Sequence, residues 1–269
     1  MMNLMDTALW ERYNNPDADI EKPWELFHEN SKSGRYDTYL SHEELQKRML
    51  DLIISEEFSE YPTYPLPEVK NTLTGSIGDI MQKRRSGRNM GFTPLNLQEL
   101  SQLLFYSYGV TVGNEGTEFP HPFRIIPSGG GLFPLEVYFH TSAIEEIPAG
   151  LYHYTSSTHS IQLLSESCDT HMIADFLVQP EVADNSSVIF FITGVFDRST
   201  FKYGDRGYRF VFLEAGHLAQ NMNLTATALG LEALNIGGYY DRDVDKFLGL
   251  DGIGRSAIYL LAIGQNNEK

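Results

Sequence analysis

Apolar residues along the chain recur with two different spacings. Positions three and four apart mark amphipathic helices, and dense β-branched or aromatic runs bounded by Gly, Pro, Ser or Asp mark strands. The helical spacing first occurs in EELQKRMLDLII (43–54), where Ser41 is read as the N-cap and Glu44 as the partner that completes a capping box. SIGDIMQKRRS (76–86) sets Ile77, Ile80, Met81 and Arg84 at helical spacing. NLQELSQLLFYSYG (96–109) offers Asn96 as cap, Glu99 in the box, and Leu100, Leu103 and Leu104 as an apolar stripe ending near Gly109. A longer helix is predicted from about Gly207 to Leu229. Strands are predicted at LEVYFH (135–140), GLYHY (150–154), IQLL (161–164), SVIFFITGVF (187–196), LEALNI (231–236) and SAIYLLAIG (256–264).

These elements describe an α+β chain, with helices packed on a mixed, mostly antiparallel sheet. The regular pattern starts near residue 71. Before it, YPTYPLPEV (61–69) carries Pro62, Pro65 and Pro67 and should be extended. The expected organisation is therefore an N-terminal accessory region, 1–70, and a main domain, 71–269. No internal repeat is visible.

Composition narrows the function classes. The 42% hydrophobic content of 269 residues suits a sizeable core, and the single cysteine, Cys168, allows no internal disulfide. No cationic leader precedes the first apolar patch and no apolar run is long enough to span a bilayer, so a cytoplasmic, membrane-free protein is expected. The formal net charge of −16 opposes binding to nucleic acid. Against that average, KRRSGR (83–88) is a local cationic exception.

KRRSGR follows a predicted helix, so its cations could simply complement a helix C-terminus. The alternative is an anion site, with guanidinium forks from Arg84, Arg85 and Arg88 and a hydroxyl from Ser86. RIIPSGGGLFPLEVYF (124–139) has three glycines that let backbone approach a flat ligand, or that make a plain loop. In NIGGYYDRD (235–243), Gly237 and Gly238 end a strand and Asp241 is read as the cap of the next helix. Glu214 and His217 form one ExxH pair without the second copy a di-metal bundle needs, so no metal is expected and a polar stripe with Asn221 is the plainer reading. Ala215, Gly216 and Ala219 on that helix would allow close packing, including against a second copy. FKYGDRGYRF (201–210) concentrates polar chemistry between two apolar elements; position alone reads it as a helix-start loop with Asp205 capping and its arginines solvated. There is no GxGxxG, no P-loop and no hydrolase elbow.

Taken in order, RRSGR, PSGGGLFPLEVYF, KYGDRGYRF, LEAGHLAQNMNLTATALGL and NIGGYYD resemble the FMN-dependent nitroreductase superfamily. Within it they are similar to the SagB-type azoline dehydrogenases, and FHENSK (27–32) is similar to the N-terminal signature of that branch. The resemblance implies a nitroreductase-like homodimer with FMN at the interface. It assigns Arg84, Arg85, Ser86 and Arg88 to the FMN phosphate, ribityl chain and pyrimidine edge. It assigns Pro127, Ser128, Gly129 and the following Gly130 to a loop reaching the flavin from the other subunit, and the backbone of Gly237 and Gly238 to flavin N5. Lys202 and Tyr203 match a pair serving the oxidation of thiazoline or oxazoline rings to azoles, acting together as base with Arg206 and Arg209 biasing their charge. A peptide or small-molecule azoline is the implied substrate and a cyclodehydratase complex an allowed partner. The rivals are an NAD(P)H-dependent nitro or quinone reductase and a flavin-binding scaffold subunit. One departure is the tail GQNNEK, whose only cation is Lys269.

Overall fold

The computed structural model describes residues 22–35, 40–56, 58–69, 73–88, 90–114, 116, 121–166 and 170–266. Cys168 and Lys269 lie outside these residues. The strands are β1 Thr63–Pro65, β2 Met90–Gly91, β3 Val110–Val112, β4 Phe123–Arg124, β5 Leu135–Thr141, β6 Gly150–Thr155, β7 Ser160–Ser165, β8 Val188–Val195, β9 Glu232–Ile236 and β10 Arg255–Asn266. The helices are α1 Pro23–Asn30, α2 His42–Leu50, α3 Ile77–Lys83, α4 Leu97–Tyr108, α5 Thr170–Ala174, α6 Glu181–Asp184, α7 Asp197–Tyr203, α8 Asp205–Leu229 and α9 Asp241–Leu248.

Eight strands form one sheet in the order β1-β7-β6-β5-β8-β10-β2, with β9 also paired to β10, and β3 and β4 form a separate ribbon. Every ladder in the large sheet is antiparallel. The parallel component is confined to isolated bridges such as Ser86 to Ala233. Strands β5 and β8 are buried along almost their whole length because both faces of the sheet are covered. Val137, Phe139, Phe190 and Ile192 pack with α4 and α8 on one face; Tyr138, Ile189 and Phe191 pack with α5, α6 and α9 on the other. That double coverage explains why these strands read as continuous apolar runs and not as alternating ones.

Local chemistry sets most helix ends. Asn96 and Glu99 form the full reciprocal box at the start of α4, and Gly230, at φ 75°, stops α8. At α2 the expected box is half made: Ser41 accepts from Glu44 N at 3.2 Å, while the Glu44 carboxylate pairs with Arg48 at 2.9 Å. The helix also ends at Leu50, short of the predicted Ile54. Residues beyond it exchange helical bonds for tertiary ones, Ile54 O accepting from Arg124 at 2.8 Å and Glu56 N donating to Glu136 at 2.8 Å.

Two further expectations are corrected at the junction that was read as a loop. Residues 197–203 are helical, and Gly204 separates α7 from α8 at φ 54°, ψ −147°, a conformation essentially reserved for glycine. Asp205 is accordingly the first residue of α8 and makes no side-chain cap; its charge favours the positive end of the helix dipole. Asp241 stands in the same relation to α9, whose N-cap is Tyr240. Among the described residues no helix is long and apolar enough to cross a membrane.

Candidate active site

Lys202 and Tyr203 form the last turn of α7, and the sharp break at Gly204 keeps both at the corner between α7 and α8. Against them lies the turn Gly129–Gly131, with Gly130 at φ 72° and Gly131 at φ 68°. A Cβ on Gly130 would stand 2.6 Å from Tyr203 Oη and 2.9 Å from Lys202 Nζ, so at φ 72° a larger residue would be strained and would push both side-chain tips aside. Tyr203 packs edge-on to Phe210 at 4.9 Å, and Phe210 in turn supports Gly129. Lys202 Nζ lies 5.4 Å from the Tyr203 ring centre and 3.6 Å from Met49 Sδ of α2. Ser128 Oγ accepts from Phe133 N at 2.9 Å, holding Phe133 at φ 44°, an unusual conformation for a residue with a side chain.

Burial lowers the Lys202 pKa, bringing the neutral amine closer to physiological pH, and raises that of Tyr203, disfavouring tyrosinate. The arginines expected to bias the pair are committed elsewhere. Arg206 Nη1 donates to Ser31 O at 3.3 Å, while Arg209 donates to Ser31 Oγ at 2.8 Å and to His28 O at 2.6 Å. They are therefore half-buried and hydrogen-bonded, not simply solvated, and they fasten the end of α1 beside the pair. A cavity of about 480 Å³ opens here, lined by Asn30, Ser31, Lys32 and Leu40 together with Lys202 and Tyr203.

Arg84, Arg85, Ser86 and Arg88 follow α3 and run beside the start of β9, with Gly87 N donating to Ala233 O at 2.9 Å. A Cβ on Gly87 would meet the Glu232 side chain at 2.6 Å. Arg85 donates to the carbonyls of Gln82 and Arg84 at 2.7 and 2.8 Å. No described acidic residue forms an ion pair with these three arginines. Gly237 and Gly238 follow the other end of β9, and a Cβ on Gly237 would meet nothing within 4 Å. Within one chain the anticipated residues thus form two groups: 127–130 with Lys202 and Tyr203, and 84–88 with the glycines joined to them by β9.

Sequence reasoning missed the polar network beneath the first group. Glu136 of β5 is buried with Arg198 of α7 at 2.6 Å and His153 of β6 at 2.9 Å. Arg198 contacts the carboxylate as an ion pair without the alignment of a directed hydrogen bond. Burial would raise the Glu136 pKa, but the His153 hydrogen bond and the Arg198 charge hold it at about 2. These residues come from separate segments, so no local pattern announces them. Glu214 was read as part of a polar stripe with His217 and Asn221; the structure separates them. His217 is exposed, Asn221 donates to Tyr106 O at 3.1 Å, and Glu214 is buried, accepting from Tyr108 at 3.1 Å. Among the described residues no three His, Cys, Asp or Glu side chains gather as a metal site.

Burial raises the Glu214 pKa to about 7, against the lowering effect of its hydrogen bonds with Ser128 and Tyr108. Because the folded value lies above the unfolded one, stability is fully present below about pH 4.5 and is lost as pH rises through 7. Glu214→Gln is expected to remove about 2–4 kcal/mol of that loss between pH 5 and 8. Urea unfolding of both proteins at the two pH values measures it; equal pH slopes would show that Glu214 ionises freely.

The nitroreductase family model matches residues 81–265, a span holding both groups of site residues. The chain belongs to the nitroreductase family. This family member is 34% identical over 204 residues to MJ1384 of Methanocaldococcus jannaschii, which carries a nitroreductase name, covering 76% of the chain and 96% of MJ1384. It is 31% identical over 140 residues to the microcin B17-processing protein McbC of Escherichia coli, covering 48% of the chain and 49% of McbC. The fold is also similar to a chain of the E. coli microcin synthetase McbBCD complex with truncated pro-MccB17 bound, at a TM-score of 0.61 and 21% identity over 91% of this chain and 92% of that one.

Proposed function

We propose that this nitroreductase-family chain is an FMN-dependent dehydrogenase of the SagB type, oxidising thiazoline or oxazoline rings in a peptide to azoles. The observation that carries the reading is the packing of Lys202 and Tyr203 against the Gly129–Gly131 turn, which brings an amine and a phenol to the loop that this reading places at the flavin.

The residues present suit FMN. Three guanidiniums that form no ion pair among the described residues offer charge for a phosphate. Arg84, Arg85, Ser86 and Arg88 would hold the phosphate and the polar edge, with the Pro127–Gly130 loop and the Gly237–Gly238 turn, open at Gly237, against the ring. The buried Glu232 Oε2, which has no partner and lies beside Gly87, supplies an acceptor for a hydroxyl donor. When bound, FMN supplies the acceptor for the hydride that leaves the azoline ring.

The remaining task is a proton, lost from the ring carbon that was an amino-acid Cα. A neutral Lys202 amine takes it, and the Tyr203 ring face beside Nζ favours the ammonium that results. Tyr203 stays a phenol and orients the amine and the loop. The dimer belongs to the same reading: Ile77 and Met81 of α3 and Phe212 and Leu213 of α8 are apolar yet exposed, and a second copy would cover such faces. The likeness to McbC supports a peptide substrate and a complex with a ring-forming partner.

The test is to incubate the yellow, FMN-loaded protein with a thiazoline-containing peptide. Loss of two hydrogens by mass spectrometry, with the rise of thiazole absorbance, is the expected result. An unaltered peptide together with rapid flavin bleaching by NAD(P)H would assign the chain to nitro or quinone reduction instead.

A further inference from the structure

Helix α1 buries none of its own residues. Its apolar positions do not hold it in place. The anchor is the residue after it: Ser31 is 2% exposed, and the donors of Arg206 and Arg209 converge on its hydroxyl, its carbonyl and the neighbouring His28 carbonyl. Those carbonyls end a helix, where partial negative charge favours a guanidinium. Phe27 adds an edge contact to Tyr208 at 5.2 Å. The two arginines leave α8 within a few residues of Lys202 and Tyr203. The latch therefore holds Asn30, Ser31, Lys32 and Ser33 as lining of the same cavity that the pair lines.

At about 480 Å³ the cavity falls within the ~300–1,000 Å³ typical of sites for ligands of a few hundred daltons, so it has room for an azole ring and part of its flanking chain. Its lining offers an amide from Asn30 and hydroxyls from Ser33 and Thr200, the donors and acceptors that suit peptide N–H and C=O groups. With Lys202 neutral as the base, its charged groups are Lys32 and Arg206 against Asp205, a lining that is not acidic in a chain of formal net charge −16. Lys32 also pairs with Glu29 on its exposed side.

We infer that residues 30–33, latched by Arg206 and Arg209, are a specificity-determining wall of the substrate site that reads the peptide flanking the ring and prefers acidic over basic flanks. The inference rests on the azoline-dehydrogenase reading. It makes the N-terminal region part of substrate recognition.

Two N-acetylated peptides, each carrying one thiazole and flanked by Glu in one and Lys in the other, serve as probes, with the matching thiazolines as substrates. The FMN-loaded wild type is expected to bind the Glu-flanked peptide about two- to five-fold more tightly by isothermal titration, the scale of one exposed charge pair. Lys32→Glu is expected to reverse that order in Kd and in KM while leaving kcat at saturation unchanged. Asn30→Ala is expected to raise KM for both. Asn30 and Lys32 are exposed, so neither change disturbs the core. Wild-type Kd and KM for both peptides in both variants, with azoline oxidation intact, would overturn the wall alone. If the wild type neither bound nor oxidised either peptide, the functional reading would fall and take this inference with it.

Discussion

Lys202→Ala is expected to lower kcat for azoline oxidation by about 10²–10⁴-fold, the contribution of a positioned general base. Burial lowers the Lys202 pKa and raises that of Tyr203, so the amine is the member of the pair more readily found deprotonated at neutral pH. Tyr203→Phe should cost about ten-fold, roughly one hydrogen bond, because the ring that faces Nζ at 5.4 Å is retained. The pH dependence separates the roles further. A base works deprotonated, so wild-type kcat rises with pH through the Lys202 pKa, Tyr203→Phe keeps that rise, and Lys202→Ala loses it. Absorption spectra confirm that each variant holds FMN, so that a lost cofactor is not mistaken for lost chemistry. Wild-type rates in both variants would remove the pair from the mechanism; a Tyr203→Phe loss as deep as that of Lys202→Ala would move the proton to the phenol.

The largest expected effect on stability belongs to Arg198→Ala, at about 3–5 kcal/mol, the cost of leaving a buried charge without its partner. Arg198 and Glu136 are 5% and 2% exposed at the side chain, and after the substitution the carboxylate would keep only its hydrogen bonds with His153 and Glu56 N among these contacts. The midpoint of urea unfolding measures the loss. Replacing both members by hydrophobic residues of similar size should recover much of it, since the desolvation of Glu136 is then removed along with the attraction. The pH signature has the opposite sign to that of Glu214. The Glu136 pKa is held at about 2, below its ordinary 4.5, so its contribution is present above pH 4.5 and is lost as pH falls towards 2. An Arg198→Ala protein as stable as wild type would show that water reaches the carboxylate. The ion pair also ties α7 to the sheet four residues before Lys202, so the same substitution is expected to displace Lys202 and Tyr203.

Much of this architecture was legible because its causes are local. The strands at 135–141, 150–155, 160–165, 188–195, 232–236 and 255–266 fall within a residue or two of the apolar runs that announced them. Asn96 with Glu99 and Gly230 act within a single turn of their helices, which makes them readable without tertiary knowledge. The exposed stripe of Ile77 and Met81 shows the limit of the same logic. Helical periodicity identifies an apolar face correctly, yet it does not say whether that face meets the chain's own core or something outside it.

Helix α7 shows another limit. DRSTFKY has no apolar stripe of its own, and its short helix is held by buried Arg198, whose partner Glu136 comes from elsewhere in the chain. Arg206 and Arg209 were visible as cations next to a Lys-Tyr pair, but their partners lie some 175 residues earlier, at Ser31 and His28. The residues before 71 likewise showed a connector, not the β1 pairing with β7 or the Glu56 contact with Glu136.

By itself the sequence determined the six long strands, the helices at 77–83, 97–108 and 205–229 to within a few residues, and the Asn96–Glu99 box, all consequences of interactions a few positions apart. Only the tertiary structure decided that Gly130 touches Tyr203 and Lys202, that Glu214 and Glu136 are buried with opposite pKa shifts, and that two arginines hold the N-terminal segment beside the cavity. Each of these depends on distance and dielectric between segments far apart in the chain, quantities that arise only when the sheet and its two helical layers close.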